Sequence, residues 1–227
     1  MKNPVFRLDE ILKLCKNKSV LHLGYVQHSH LYDKLINEGI WVHSNIANVA
    51  AEIIGIDYLE KDVELIKNKY GFEGYSGDAN HLEKVPLGRR FDVIVCGELI
   101  EHITNPGLML EGIKRFMHDD SILIITTPNP WDMTFIKKIR MGSAEENWIN
   151  PEHICWYTPY TLKNTLTRHG YVEVKYDYYF GFETAGQYFK ISPGILAPLK
   201  RVIRKWRIAS TRPQNQLGLF FVARKQS

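Results

Sequence analysis

Apolar positions along the chain follow two rhythms. Leu8, Ile11, Leu12 and Cys15 recur at helical spacing, which predicts a short amphipathic helix over 8–16. After it come brief runs rich in Val and Ile, bounded by Gly, Asp or Pro: 19–23 (SVLHL), 52–56 (EIIGI), 91–96 (FDVIVC) and 121–126 (SILIIT). Such runs are the signature of strands buried on both faces of a parallel sheet. Helical stretches at 30–38, 59–70 and 108–117 lie between them, and alternation of this kind predicts an α/β, doubly wound sheet. Downstream, 128–151 is bounded by Pro and Asn and is predicted to hold one helix over a rim of the sheet. A Thr cap, a Pro at the first helical position and Gly170 punctuate a helix over 158–169. The alternating stretches 171–180 and 217–223 predict an antiparallel edge. Between them, Leu199, Val202, Ile203 and Trp206 form an apolar stripe among Lys200, Arg201, Arg204, Lys205 and Arg207. The organisation expected is a single domain over 1–227, with a lid or acceptor insertion at 130–157 and a basic helical insertion at 181–212.

Composition narrows the class. Of 227 residues, 44% are hydrophobic and 24% charged, which argues against disorder, and 29 Lys and Arg against 25 Asp and Glu leave a net charge of only +4. Cys15, Cys96 and Cys155 are isolated and odd in number, so a reduced, cytoplasmic protein is expected. The charged N-terminal stretch lacks the apolar centre of a signal peptide, and no apolar run approaches the roughly 18 residues of a membrane span. Peripheral contact with an anionic surface is open only through the basic helix at 199–207.

In an open parallel sheet, ligands bind beyond the carboxyl ends of the strands, near the point where strand order reverses. The loop after the first strand is Gly24-Tyr25-Val26-Gln27-His28; the second strand ends at Asp57; Gly77-Asp78-Ala79 follows; and the fourth strand runs into Gly97-Glu98. An ionised carboxylate at the end of a second strand offers two acceptor oxygens, enough for both hydroxyls of a ribose, and Asp57 fits that role. The succession VLHLG, IIGIDYLEKDVELIK, GDANHL, FDVIVCGELIEHITNPGLMLEGI and ILIITTPNP resembles the class I S-adenosylmethionine-dependent methyltransferases over about half the chain. The resemblance implies a seven-stranded, mostly parallel sheet with an antiparallel last strand. It implies S-adenosylmethionine as cofactor, with contacts through His22, Gly24 and Tyr25, through Asp57 and Tyr58, through Asp78 and Ala79, and through Cys96 and Gly97. The chain departs from the family's first motif: His22 stands where an acid is usual, and Val26 where a second Gly is usual.

The segment Glu98-Leu-Ile-Glu101-His102 is the sharper signal. If it begins a helix, Glu98, Glu101 and His102 share one face, the device that clusters ligands in helical Glu-x-x-His pairs. With His153 of PEHICWYTP, the set resembles the Glu-x-x-Glu-His plus downstream His constellation of metal-dependent small-RNA 2′-O-methyltransferases, and in part that of ubiquinone-pathway O-methyltransferases. That resemblance implies Glu98, Glu101, His102 and His153 as ligands of a divalent cation, Mg²⁺ or Mn²⁺ by donor chemistry, which would acidify and orient an acceptor hydroxyl. Two other readings stand beside it: Glu101, His102 or His153 as general base or substrate positioner without a metal, and a purely structural cluster. Trp131, Trp148, Trp156 and Tyr157 are candidates either for stacking on an acceptor or for packing the insertion. The expectation is an O-methyltransferase acting on a hydroxyl of a small molecule or saccharide. Methylation of an RNA ribose is the rival enzymatic reading, opposed by the sparse basic charge. A scaffold that has lost its cofactor is the non-enzymatic one.

Overall fold

A computed structural model describes residues 4–26, 31–180, 183–185 and 212–226. The basic stripe at 199–207, with most of the proposed 181–212 insertion, and His28 with His30 lie outside the described residues. Among the described residues, seven strands form one sheet: β1 (Ser19–Leu23), β2 (Glu52–Asp57), β3 (Gly74–Ser76), β4 (Phe91–Gly97), β5 (Met117–Pro128), β6 (Tyr171–Tyr179) and β7 (Gly218–Lys225). Their order is β3-β2-β1-β4-β5-β7-β6. The first five run parallel, and β7 pairs antiparallel with both β5 and β6. This is the doubly wound sheet and antiparallel edge that the sequence pattern predicts.

Alternation within the strands explains why both faces are covered. Leu21, Leu23, Ile54, Ile56, Ile94 and Cys96 point to one side, against α5 (Pro106–Ile113) and α7 (Pro159–Arg168). Val20, Val93 and Val95 point to the other, where α1 (Arg7–Cys15) and α3 (Val42–Ala47) supply Leu8, Ile11, Cys15, Val42 and Ile46. The remaining helices are α2 (Tyr32–Asn37), α4 (Glu60–Tyr70) and α6 (Met133–Arg140). Punctuation matches the sequence at α7: the Thr158 hydroxyl accepts from Thr161 N–H, the Thr161 hydroxyl accepts from Thr158 N–H, and Pro159 opens the helix. Asn105 caps α5 in the same manner, its side-chain oxygen accepting from Leu108 N–H ahead of Pro106. The helix α3 and the three-residue β3 carry no periodic signal long enough to read, and β5 begins four residues earlier than its apolar run.

The stretch between β5 and α7 crosses a rim of the sheet. Asp132 caps α6, none of whose residues is buried. Phe135 sits against Trp148 and Trp156 at ring separations of 5.1 and 5.3 Å, so these aromatics pack the segment on itself. Its return is tied down by main-chain bonds from Ile154 and Cys155 to the Glu101 carbonyl, at 2.9 and 3.4 Å.

A third apolar cluster closes the β2–β3 edge, built from Tyr25, Tyr32, Trp41, Val63 and Ile66. Tyr25 lies so close over the sheet that a Cβ at Gly55 would come within 2.4 Å of its ring, and one at Gly74 within 2.2 Å of its hydroxyl. Gly55→Ala is therefore expected to destabilise the fold by about 1–3 kcal/mol through overpacking. In a Tyr25→Ala background the same change should cost much less, a coupling that urea unfolding of the four proteins measures. Equal costs in both backgrounds would locate the strain elsewhere.

Candidate functional site

Between β1 and β4 the strand order reverses, and the loops leaving their carboxyl ends turn apart over a cleft of about 950 Å³. Its wall includes Gly24, Asp57, Asp78, Gly97, Glu98 and His102. Gly24 leaves β1 with φ +67°, and a Cβ there would meet the Leu99 side chain at 3.0 Å, so this turn has two reasons to be glycine. Its N–H donates to the Ile56 carbonyl at 2.9 Å, which holds the turn against the end of β2.

Asp57 organises the next part of the wall. Its Oδ2 accepts from Val26 N–H at 3.0 Å and its Oδ1 from Leu59 N–H at 3.2 Å. Burial nevertheless lifts this carboxyl above its usual range, against the pull of those bonds. Each oxygen keeps a lone pair for a ligand hydroxyl. The Val26 contact also shows how a loop without the second glycine is accommodated: its backbone is drawn onto the acid. Tyr58 stands exposed beside it, and Asp78 caps the short helix Ala79–Lys84 through Asn80 N–H at 2.8 Å, with Ala79 on the wall.

Two of the expected cofactor residues are placed differently. The Tyr25 side chain turns under the sheet edge, away from the cleft, and only its main chain stays with the loop; its carbonyl accepts from the Trp41 indole at 3.2 Å. Cys96 is fully buried with its sulfur 4.0 Å from that of Met109, and burial pushes its thiol up. The alternation that sends Cys96 into the core exposes Gly97 to the cleft instead.

His22 is buried yet lies on the cleft wall, and its Nδ1 is 3.3 Å from Nδ1 of His43, so one ring donates and the other accepts. Burial, helped by Arg7, pulls His22 down to about 3, and burial lowers His43 well below its usual value. Both rings are neutral at pH 7.

The turn after β4 corrects the helical expectation. Glu98 has φ +51°, and a single 3₁₀ turn spans Ile100–His102, so Glu98 does not share a face with Glu101 and His102. Its Oε1 accepts from the Tyr179 hydroxyl at 2.9 Å and lies 3.8 Å from Arg7 Nη1. Glu101, His102 and His153 do converge: one ligand atom from each lies within 4.8 Å of the others. The main-chain bonds from Ile154 and Cys155 to Glu101 are what carry His153 there across 51 residues of sequence. Glu101 is buried; its Oε2 accepts from the Thr127 hydroxyl at 2.9 Å, and its Oε1 has no partner among the described residues. Burial first, and Glu98 second, push its carboxyl up to about 8. His153 Nδ1 is likewise buried without a partner among the described residues, and burial lowers its pKa. The His102 and His153 rings meet edge-on at 4.7 Å, and His102 Nδ1 is 3.2 Å from the Glu152 carbonyl, leaving its Nε2 available.

Arg7, Tyr179 and Glu183 were not legible as site residues. Arg7 is buried, donates bidentately to Glu183 at 2.7 and 2.9 Å and reaches Thr126 at 3.5 Å. Burial alone would lower its guanidinium, but Glu98 and Glu183 together hold it above its usual value. A basic residue at the start of an amphipathic helix carries no local sign of such a role.

Known proteins resemble this arrangement at several levels. The family model described as a methyltransferase domain matches residues 12–176. A Mycobacterium tuberculosis protein described as a probable S-adenosylmethionine-dependent methyltransferase is 28% identical over 130 residues, covering 57% of this chain and 44% of that relative. The matched stretch thus spans less than half that relative's length. The ubiquinone biosynthesis O-methyltransferase of Glaesserella parasuis is 38% identical over only 40 residues, 18% of this chain and 17% of its own. Among solved structures, a SAM-dependent methyltransferase from Archaeoglobus fulgidus superposes with a TM-score of 0.58 at 21% identity, covering 96% of this chain and 91% of that one.

Two pH effects of opposite sign follow from the buried groups. An unfolded chain protonates His22 and His43 near 6.5 while the folded one holds them neutral, so stability is complete above that value. It falls as pH drops below 6.5, by about 1.4 kcal/mol per pH unit for His22 down to about 3, and in the same direction for His43. Replacing both by Asn should flatten that limb of the unfolding profile. Glu101 does the reverse: a carboxyl raised to about 8 favours the fold most below its usual value near 4.5, and its contribution is lost as pH rises through 8. In chelator-containing buffer, Glu101→Gln should therefore gain on the parent protein between pH 5 and 8.5; a constant difference would contradict the burial argument.

Proposed function

The chain belongs to the class I S-adenosylmethionine-dependent methyltransferases, and on that premise we propose that it is an O-methyltransferase acting on a hydroxyl of a small molecule or saccharide with the help of a divalent cation. The observation that carries the cation is the pair of buried polar atoms without partners among the described residues, Glu101 Oε1 and His153 Nδ1, in one cluster with His102 at the edge of the cleft. Buried groups of this kind are rare unless something outside the chain satisfies them. One carboxylate and two imidazoles suit Mg²⁺ less well than Mn²⁺, and also accept Zn²⁺ or Fe²⁺. A cation held there supplies Lewis acidity that lowers the pKa of an acceptor hydroxyl.

The cofactor reading rests on the cleft at the topological switch point. Asp57, with two of its lone pairs fixed by Val26 and Leu59, is aligned to accept ribose hydroxyls from S-adenosylmethionine. Ala79 and Asp78, which line the same cleft, would flank the base in this reading, and Gly24 would allow close backbone approach. The segment 130–157 is the acceptor-side insertion in this reading, because its return places His153 and Glu152 beside the cleft. Thr127 orients Glu101, and the Glu152 carbonyl orients His102.

Calorimetric titration with S-adenosylhomocysteine tests the cofactor, and titration with Mn²⁺ or Mg²⁺ tests the cation. The parent chain is expected to bind both. Asp57→Ala should weaken the homocysteine compound by at least about tenfold, the value of hydrogen bonds to a charged group, and leave Mn²⁺ affinity unchanged. Glu101→Gln should weaken Mn²⁺ by at least about tenfold, the scale seen for loss of even an outer partner of a metal ligand. Failure of the parent chain to bind the homocysteine compound would sink the enzyme reading, whereas binding without any cation affinity would sink only the metal-assisted form.

A further inference from the structure

We infer that a second, shallower pocket, at the end of the sheet opposite the cleft, binds a diphosphate group through Arg89, Arg90 and Arg115. The inference stands apart from the cofactor and cation readings, because neither uses this end of the molecule.

The pocket has a volume of about 370 Å³ and is lined by Leu87, Gly88, Arg89, Arg90 and Arg115. Its wall thus carries three guanidinium groups and no acid. Sheet register brings them together. Phe91, the first residue of β4, lies beside Met117, the first of β5. Arg89 and Arg90 immediately precede Phe91, and Arg115 comes just ahead of Met117, so parallel pairing delivers cations from two separate segments to one rim. This rim is at the amino ends of the strands, whereas the cleft lies beyond the carboxyl ends of the same sheet.

Like charges held together repel, and the repulsion is relieved when an anion sits among them. Two observations favour an anion of defined shape. Arg89 is oriented in advance: it pairs with Glu52, and its guanidinium lies over the Phe91 ring, 5.0 Å from the centroid. Arg90 and Arg115 make no ion pair among the described residues. Neighbouring acids are engaged elsewhere. Asp92 accepts from the Ser19 N–H and hydroxyl at 2.8 Å, and Asp119 pairs with Lys225 at 2.9 Å. Lys225 holds the Asp119 carboxyl below its usual range, with only a smaller pull from Arg90.

The donor set selects the ligand. A guanidinium presents a planar fork that takes two oxygens of a phosphate at once. A lone tetrahedral anion has oxygens for two such forks, whereas the terminal oxygens of a diphosphate suffice for three, and its higher charge answers three cations. Leu87 is buried, and nothing lies within 4 Å of where a Cβ would stand at Gly88, so the pocket has an apolar base and an open mouth.

The test is calorimetric titration of the parent chain with pyrophosphate, with UDP and with sulfate, at one ionic strength and in buffer stripped of divalent cations. Pyrophosphate should bind at least about tenfold more tightly than sulfate, the scale of one additional charge-assisted hydrogen bond. R90Q and R115Q should each weaken pyrophosphate and UDP by about tenfold on the same scale. Because both side chains are exposed, the urea midpoint should not move. R140Q removes the same charge from α6 and should change affinity by less than about twofold. A tighter hold on UDP than on pyrophosphate assigns the pocket to diphosphate esters, and the reverse order assigns it to the free anion. Sulfate bound as tightly as pyrophosphate, losses in R140Q equal to those in R115Q, or unchanged binding in R90Q and R115Q overturns the inference. A parent chain that binds no pyrophosphate also overturns it, and leaves the cofactor and cation readings untouched.

Discussion

Parallel pairing of β1 with β4, Leu23 beside Cys96, is the constraint on which the rest of the site depends. With β2 and β3 on one side and β5 on the other, the connections leaving these two central strands must diverge, and the divergence opens the cleft. Gly24, in the turn after β1, and Gly97, the last residue of β4, both line it, because a strand buried on two faces can approach a ligand only through its end. Asp57 then closes the adjoining corner by holding the main chain of the first loop. A one-residue slip in this pairing would turn the side chains of one strand to the opposite packed face of the sheet.

The site is electrostatically costly for the fold that carries it. His22 and His43 are kept neutral, Glu101 is raised, and a guanidinium is buried under two carboxylates. Burying ionisable groups of this kind contributes little stability and often subtracts from it. The larger apolar clusters on both faces of the sheet offset that cost, so the cleft can hold groups that would be poor choices for a core. Among the described residues, Glu101 Oε1 and His153 Nδ1 have no partner, which is the ground of the proposed cation.

The family accounts for the sheet and for the cleft at its switch point, and in the proposed function the acceptor side is this chain's own. A sheet of this order hosts many reactions, and what distinguishes one from another is carried by the segments beyond the strand ends. In the proposed function that role falls to the excursion after β5, folded on its own Phe135, Trp148 and Trp156 and pinned back to Glu101. Its geometry brings the second histidine to the first carboxylate.

By itself the sequence determined the alternation of strands and helices, the caps of α5 and α7, the antiparallel edge and the positions of Gly24, Asp57 and Gly97. These are legible because each depends on residues near in the chain: periodicity, a capping hydroxyl, a glycine at a turn. It also singled out Glu98, Glu101, His102 and His153 as candidate ligands. The separation of Glu98 from that set, the burial of Tyr25 and Cys96, and the recruitment of Arg7, Tyr179 and Glu183 were decided only by the tertiary structure. The reason is physical. A side chain's direction at a strand exit turns on one backbone torsion, and its partners come from segments about 80 to 180 residues away, which no local pattern encodes.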